Sequence, residues 1–240
     1  MYRIMKNKVL YAVTALMLLT VGFTSCEKKS KDLTSVTYYA ELFLEGDEVM
    51  GLNLNGTYVE PGYTAIMNGE DVTSQVKILS DVDPTKKGVY SVNYVIVNPD
   101  GFAASASRTV IVYDTSDPVE GFWWVDPNSY RIYDGGSPVK YGGNYYIIAT
   151  NNGDGTYTFN DLMAGWYAQR AGYGELYAME ADVTVAGDGT ITLVDSYVPG
   201  WQDAADALTA ATFDAATGTI NYHLQYATVI DFYVTLNKGK

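Results

Sequence analysis

The chain has 240 residues, 28 of them acidic against 15 basic, for a formal net charge of −13. Removing the three cations of the first 25 residues leaves about −16 on the remainder. This excludes nucleic acid, whose binding rests on Lys and Arg neutralising phosphates, and leaves neutral sugars, cations and basic proteins, although net charge also serves solubility alone.

Arg3, Lys6 and Lys8 form a basic start, Val9–Phe23 runs without a charge, and Thr24-Ser25 precede Cys26, the single cysteine. This is the layout of a secretory signal peptide over residues 1–25, and the apolar run is shorter than the roughly 20 residues a bilayer-spanning helix needs. Small residues before one cysteine resemble a bacterial lipoprotein processing site. There Cys26 becomes the lipid-bearing N-terminus, its thiol consumed as a thioether, and the lipid attaches the chain to the membrane. With no second cysteine the exported fold has no internal disulfide and relies on its core. Residues 26–35 are polar and read as a tether. Their mixed charges (Glu27, Lys28, Lys29, Lys31, Asp32) leave the choice between cell surface and periplasmic face open.

From residue 36 the composition is that of an all-β protein. There are 22 Tyr, four Trp and 23 Gly, a mixture that favours strands joined by tight turns. The Ala-rich Gln202–Ala211 is expected to be a short helix or a loop. Residues 36–114 read as an Ig-like β-sandwich. In Gly88–Asn98, Tyr90, Val92, Tyr94 and Ile96 share one face, and Asn98-Pro99-Asp100-Gly101 turns the chain into a returning strand, Phe102–Tyr113. Gln75–Leu79 is a further short strand, and Asp114–Pro118 reads as a linker.

Residues 119–240 read as an antiparallel meander. Tyr145–Thr150 pairs with Thr156–Phe159, Tyr177–Val185 with Thr190–Asp195, and Ala211–Asp214 with Thr219–Tyr226, each across a Gly-containing turn, and Val229–Asn237 closes the chain. About eight strands fit a sandwich or a small closed barrel, which removes exposed edges. A lipocalin-like barrel is the preferred reading.

Two resemblances follow. Gly56-Thr57-Tyr58-Val59-Glu60-Pro61-Gly62-Tyr63-Thr64-Ala65, Asp71-Val72-Thr73, Val82-Asp83, Gly88–Tyr94, Asn98–Phe102 and Arg108–Val112 resemble, in order, a bacterial immunoglobulin-like surface repeat. That resemblance implies a spacer or protein-contact module without catalytic residues. The whole arrangement, with Asp154–Tyr157, Gly165–Tyr177 and Asp231–Lys238, is similar to Bacteroidetes lipoproteins with a β-rich C-terminal domain that accompany starch-utilisation-type uptake systems. It implies an outer-membrane, lipid-anchored protein with an uptake-associated binding role.

The candidate ligand-binding residues are aromatic: Trp123, Trp124, Trp166, Tyr167, Tyr173, Tyr177 and Trp201. Flat rings meet the axial C–H faces of a polysaccharide or oligosaccharide, and Gly165, Gly172 and Gly174 suggest that Trp166, Tyr167 and Tyr173 ride on a long loop. The competing reading is core packing, which occupies most large aromatics. No cofactor or metal is expected. The run Asn151-Asn152-Gly153-Asp154-Gly155 lacks the acid spacing of a calcium loop, and one histidine, His223, cannot form a multi-histidine zinc site. No nucleophile-elbow pattern surrounds any serine, and on Thr219–Tyr226 the side chains of Tyr222, Leu224 and Tyr226 share one face and Asn221, His223 and Gln225 the other, so His223 is read as a residue of a strand's polar face. A glycosidase pair would have to come from Asp161, Glu175, Glu180, Asp195 and Asp203, so the expectation is a non-catalytic glycan- or nutrient-binding protein. The alternatives are an assembly partner of an outer-membrane transporter, its aromatics in the core, or a lipocalin-type carrier of an apolar ligand, which needs an open interior.

Overall fold

The computed structural model describes residues 36–239; the signal peptide, Cys26 and the tether lie outside the described residues. Tyr39–Lys240 form one compact unit made of two β modules.

The first module begins with β1 (Ala40–Leu44), β2 (Val49–Asn53), β3 (Tyr63–Met67), β4 (Glu70–Asp71) and β5 (Lys77–Ser80), and ends with the long hairpin β6 (Gly88–Val97) and β7 (Ala103–Tyr113). The strands form two sheets, β1-β3-β4 and β2-β7-β6-β5, with β2 parallel to β7. Alternation decides which side chains go inside: Val92, Tyr94 and Ile96 of β6 and Val110 and Val112 of β7 are buried, while Ser105 and Ser107 are exposed. At the hairpin, Asn98 Oδ1 accepts the Asp100 and Phe102 N–H at 3.1 and 2.7 Å, and Gly101 takes φ 90°.

A buried arginine ties this module together. Arg108 is wholly enclosed. Its guanidinium donates to the carbonyls of Asp47, Glu45 (2.7 Å) and Gly62 (3.3 Å) and lies 3.4 Å from the Glu60 carboxylate. Glu60 also accepts the Tyr58 and Tyr94 hydroxyls. Burial opposes its charge, but the two hydroxyls, the Gly62 N–H and Arg108 hold Glu60 below the usual carboxylate range. The loop 45–48 between β1 and β2 is thereby fixed from beneath.

Residues Asp114–Pro118 are pinned rather than loose. The Asp117 carboxylate accepts the N–H groups of Val119 and Glu120 at 2.8 and 3.0 Å and the Asn151 amide at 2.6 Å. Ile111, Tyr113 and Phe122 form a small buried cluster with Val49, Trp124, Tyr146 and Ile148, joining the modules. Lys87 pairs with the buried Glu120 at 2.7 Å across the same junction.

The second module holds β8 (Gly121–Val125), β9 (Tyr130–Tyr133), β10 (Val139–Lys140), β11 (Tyr146–Asn151), β12 (Thr156–Phe159), β13 (Glu180–Val185), β14 (Ile191–Tyr197), β15 (Ala205–Asp214), β16 (Thr219–Tyr226) and β17 (Ile230–Lys238). They form one antiparallel sheet in the order β14-β13-β12-β11-β8-β17-β16-β15. The far edge of β17 is shared: Ile230–Tyr233 pair with β9, which carries β10, and Leu236–Lys238 pair with β8.

The sheet curls until β14 and β15 approach. There they meet through the bridge Thr190↔Thr212 and the bond from Phe213 N–H to Gly189 O (2.7 Å) instead of a continuous ladder. The result is a curled half-barrel, not a closed lipocalin-like barrel. Its interior is a solid core that includes Trp123, Ile147, Phe159, Met163, Leu224 and Phe232, each contributing about 1.5–3 kcal/mol by burial. The open apolar interior that a lipocalin-type carrier requires is thus filled by side chains.

Gln202–Ala211 departs from the expected helix or loop: most of it belongs to β15, laddered to β16 with register shifts at Ala205/Ala207 and Thr209/Thr212. Pairing with a long neighbouring strand overrides the weak helix preference of alanine.

Candidate functional site

The candidate site grows from the segment between β12 and β13. Asp161 is buried, and its carboxylate accepts three backbone N–H groups: Met163 (2.9 Å), Gly165 (2.8 Å) and Met179 (3.0 Å). Two buried tyrosines close the same turn from the core, Tyr222 Oη donating to Leu162 O (2.9 Å) and Tyr141 Oη to Met163 O (2.8 Å). Burial pushes both phenols well above their ordinary range. Ala164 and Gly165 take φ 53° and 77°, a left-handed pair that only a well-held loop sustains. Gly165 then accepts the Arg170 N–H at 2.8 Å, closing a π-helical turn over Trp166–Arg170. The expected long loop is therefore a structured cap, with a 3-10 turn at Glu175–Tyr177.

This turn sends consecutive aromatics in opposite directions. Trp166 points inward, 3% exposed, edge-on to Tyr141 at 4.8 Å. Its faces carry two guanidinium groups, Arg170 at 4.2 Å and Arg131 at 4.6 Å from the ring centre. Tyr167 points outward and is half-buried, its hydroxyl accepting from Arg131 Nη1 at 3.2 Å. Tyr173 stacks on Tyr167 at 6.1 Å, and Trp201 meets Tyr167 edge-on at 4.7 Å. Tyr177 lies 5.0 Å and Tyr226 6.1 Å from Trp201. Trp201 arrives on the tight turn after β14, where Val198 N–H bonds Asp203 O at 2.7 Å and Gln202 takes φ 53°.

The outcome is a continuous aromatic surface with Tyr173 56% and Trp201 38% exposed. Burial and then the neighbouring Asp203 charge push Tyr226 up to about 12, and the exposed Asp203 carboxylate, not the buried phenol, is the acceptor beside that ring. Flat rings of this kind are suited to stacking against flat or ring-shaped partners.

Of the sequence candidates, Tyr167, Tyr173, Tyr177 and Trp201 come together here. Trp166 is the cluster's buried support, and Trp123 is wholly in the core, its Nε1 donating to Val119 O at 2.9 Å. Neither is free to meet a ligand, which corrects the expectation for both. Trp124 is elsewhere, half-buried beside Phe122 and Tyr146 at the module junction. Asp161 is committed to backbone amides, which removes it from any glycosidase pair; Glu175, Glu180, Asp195 and Asp203 are exposed. Asn151–Gly155 is a turn, with Asp154 accepting the Thr156 N–H at 3.0 Å and hydroxyl at 2.7 Å.

His223 lies on the outer face of β16 as expected, but it is not idle there. It stacks on Tyr233 at 4.3 Å and is held by Asp231 (2.7 Å) and Thr209 (3.1 Å). Sequence reasoning missed Arg131, Tyr141, Tyr222 and Tyr226. The alternating burial of β16 did place Tyr222 and Tyr226 inside, but not beneath this cap. Among the described residues no three metal-ligating side chains converge.

Comparison with known proteins places these modules. A family model described as "Bacterial surface protein, Ig-like domain" matches residues 42–112, and one whose description reads "-like, C-terminal domain" matches residues 113–238. The lipoprotein BT2262 from Bacteroides thetaiotaomicron is 38% identical, with a TM-score of 0.67 over 83% of this chain and 100% of that one. Two further structures overlap with little of the fold in common. The CBM51-2 and INT domains of Clostridium perfringens ZmpB, solved with GlcNAc, are 15% identical at a TM-score of 0.28, over 83% of this chain and 44% of that one. A Bacteroides ovatus structural-genomics protein of unknown function is 12% identical at 0.30, over 85% and 82%. No curated protein matches. By its Ig-like module, its matched C-terminal domain and its likeness to BT2262 over the whole of that protein, the chain belongs to the family of that Bacteroides lipoprotein.

Proposed function

We propose that this protein is anchored in the outer membrane through a lipid on Cys26 and captures glycan for an uptake system without catalysis. The Ig-like module serves as spacer and the half-barrel as the binding unit. The observation that carries this reading is the exposed ring surface of Tyr173 and Trp201, backed by Tyr167 and Tyr177. Other rings of this chain, Tyr133 and Phe102 among them, are as exposed. What sets these apart is that several adjoin in one surface, and that Tyr167 sits on a turn held by buried hydrogen bonds, so its position is fixed before any ligand arrives. Family membership supports the envelope location, and the acidic surface suits a neutral saccharide more than an anionic one.

The test is retention of the soluble chain from Glu27 on a panel of neutral and acidic polysaccharides by affinity electrophoresis. Retardation by at least one neutral polysaccharide, lost in Trp201→Ala, is the expected result. No retardation across the panel argues against glycan capture and turns attention to a transporter protein as partner.

A further inference from the structure

A second surface lies at the junction of the modules, away from the π-helical cap. A cleft of about 910 Å³ opens between the loop 45–48 and the second module. Phe122, Trp124 and Tyr146 line it and pack edge-to-face, with ring centres 5.8 Å (Phe122–Trp124) and 5.6 Å (Trp124–Tyr146) apart. Asp47 and Glu48 line the opposite wall, both exposed, and neither carboxylate has an ion-pair or hydrogen-bond partner among the described residues. That wall is held in place, because buried Arg108 grips the Glu45 and Asp47 carbonyls from behind.

The one cation lining the cleft does not answer these acids. Lys238 Nζ donates to the Pro118 and Glu120 carbonyls and sits 4.7 Å from the centre of the buried Trp123 ring. Partly exposed Trp124 and Tyr146 rings and unanswered carboxylates lining one cleft form a setting that favours positive charge, since both the ring quadrupole and the acids attract it.

We propose that this cleft binds a small organic cation, an amine or quaternary ammonium group held against Trp124 and Tyr146 with Asp47 and Glu48 supplying the countercharge. The site is separate from the saccharide surface and does not depend on it.

Calorimetric titration of the chain from Glu27 with choline and with 3,3-dimethyl-1-butanol, its uncharged isostere, tests the proposal. Choline should bind at least tenfold more tightly than the isostere, and added salt should weaken it. The D47N/E48Q variant, at exposed positions that support no packing, should lose at least tenfold of the choline affinity with its unfolding midpoint unchanged. Trp201→Ala should bind choline like the wild type. Equal affinity for both probes, an unchanged D47N/E48Q, a loss in Trp201→Ala, or choline binding weaker than about 10 mM would each overturn it.

Discussion

Asp161 sets two electrostatic effects against each other, and the pH dependence of stability tells which is larger. Three backbone N–H groups at 2.8–3.0 Å favour the carboxylate, and such an arrangement alone can hold an acid far below its ordinary range. Complete burial favours the neutral acid and wins, pushing the group up from 3.8 to about 6. The difference is worth about 3 kcal/mol. Its sign is fixed by linkage: the native chain holds the proton more tightly than the unfolded chain does. The stabilisation is therefore complete below about pH 4 and lost as pH rises through about 6. Asp161→Asn cannot titrate, and it offers one acceptor oxygen where the carboxylate offers two, stranding at least one buried N–H at about 1–3 kcal/mol at every pH. Its penalty should thus be largest near pH 4 and shrink by up to about 3 kcal/mol towards neutrality. Urea unfolding of both proteins at a series of pH values, compared within each pH, measures this directly. A penalty that grows with pH would refute the reasoning, because the amides would then outweigh burial.

Other perturbations separate core from surface. Trp123→Ala should lose about 3–5 kcal/mol of stability through the cavity it leaves, whereas Tyr173→Ala should stay within about 0.5 kcal/mol; paired denaturation curves compare them. Arg108→Met removes the donor that serves three carbonyls and leaves the Glu60 carboxylate without its cation. A loss of about 3–5 kcal/mol is expected in the same assay, with faster amide exchange in loop 45–48. A Cβ at Gly189, where φ is 85°, would run into the Phe213 carbonyl at the meeting of β14 and β15. Gly189→Ala should therefore cost at least about 2 kcal/mol, read as a fall in unfolding midpoint.

Much of this architecture was legible in the chain, because alternation is a local signal. The face of Tyr90, Val92, Tyr94 and Ile96 and that of Tyr222, Leu224 and Tyr226 point inward as their period of two dictates. The hairpin turns at Asn98–Gly101 and Asn151–Gly155 carry their own chemistry in Asn, Asp and Gly. What pairs across long separations was not legible. The strand at Ala205–Asp214 exists because β16 is there to ladder it, and β9 and β10 exist because β17 divides its edge between two partners. The site followed the same division. Aromatic content near Gly165–Tyr177 marked the region, but neighbouring Trp166 and Tyr167 have the same local signature. Only the π-helical turn, set by Asp161 and capped by Tyr141 and Tyr222 from distant strands, sends one into the core and the other to the surface.

The central claim is that the rings of Tyr173 and Trp201 are the glycan contact. The most direct measurement is the affinity of a retained polysaccharide for wild type, Trp201→Phe, Trp201→Ala and Tyr173→Ala, each with its unfolding midpoint. A graded loss is predicted, smaller for Trp201→Phe, which keeps a ring, and tenfold or more for the two alanine variants. The Tyr173→Ala midpoint should stay unmoved, while Trp201→Ala also gives up its packing on Tyr167 and Tyr177 and is compared at a temperature where it is fully folded. Alanine variants that bind like the wild type would contradict the account.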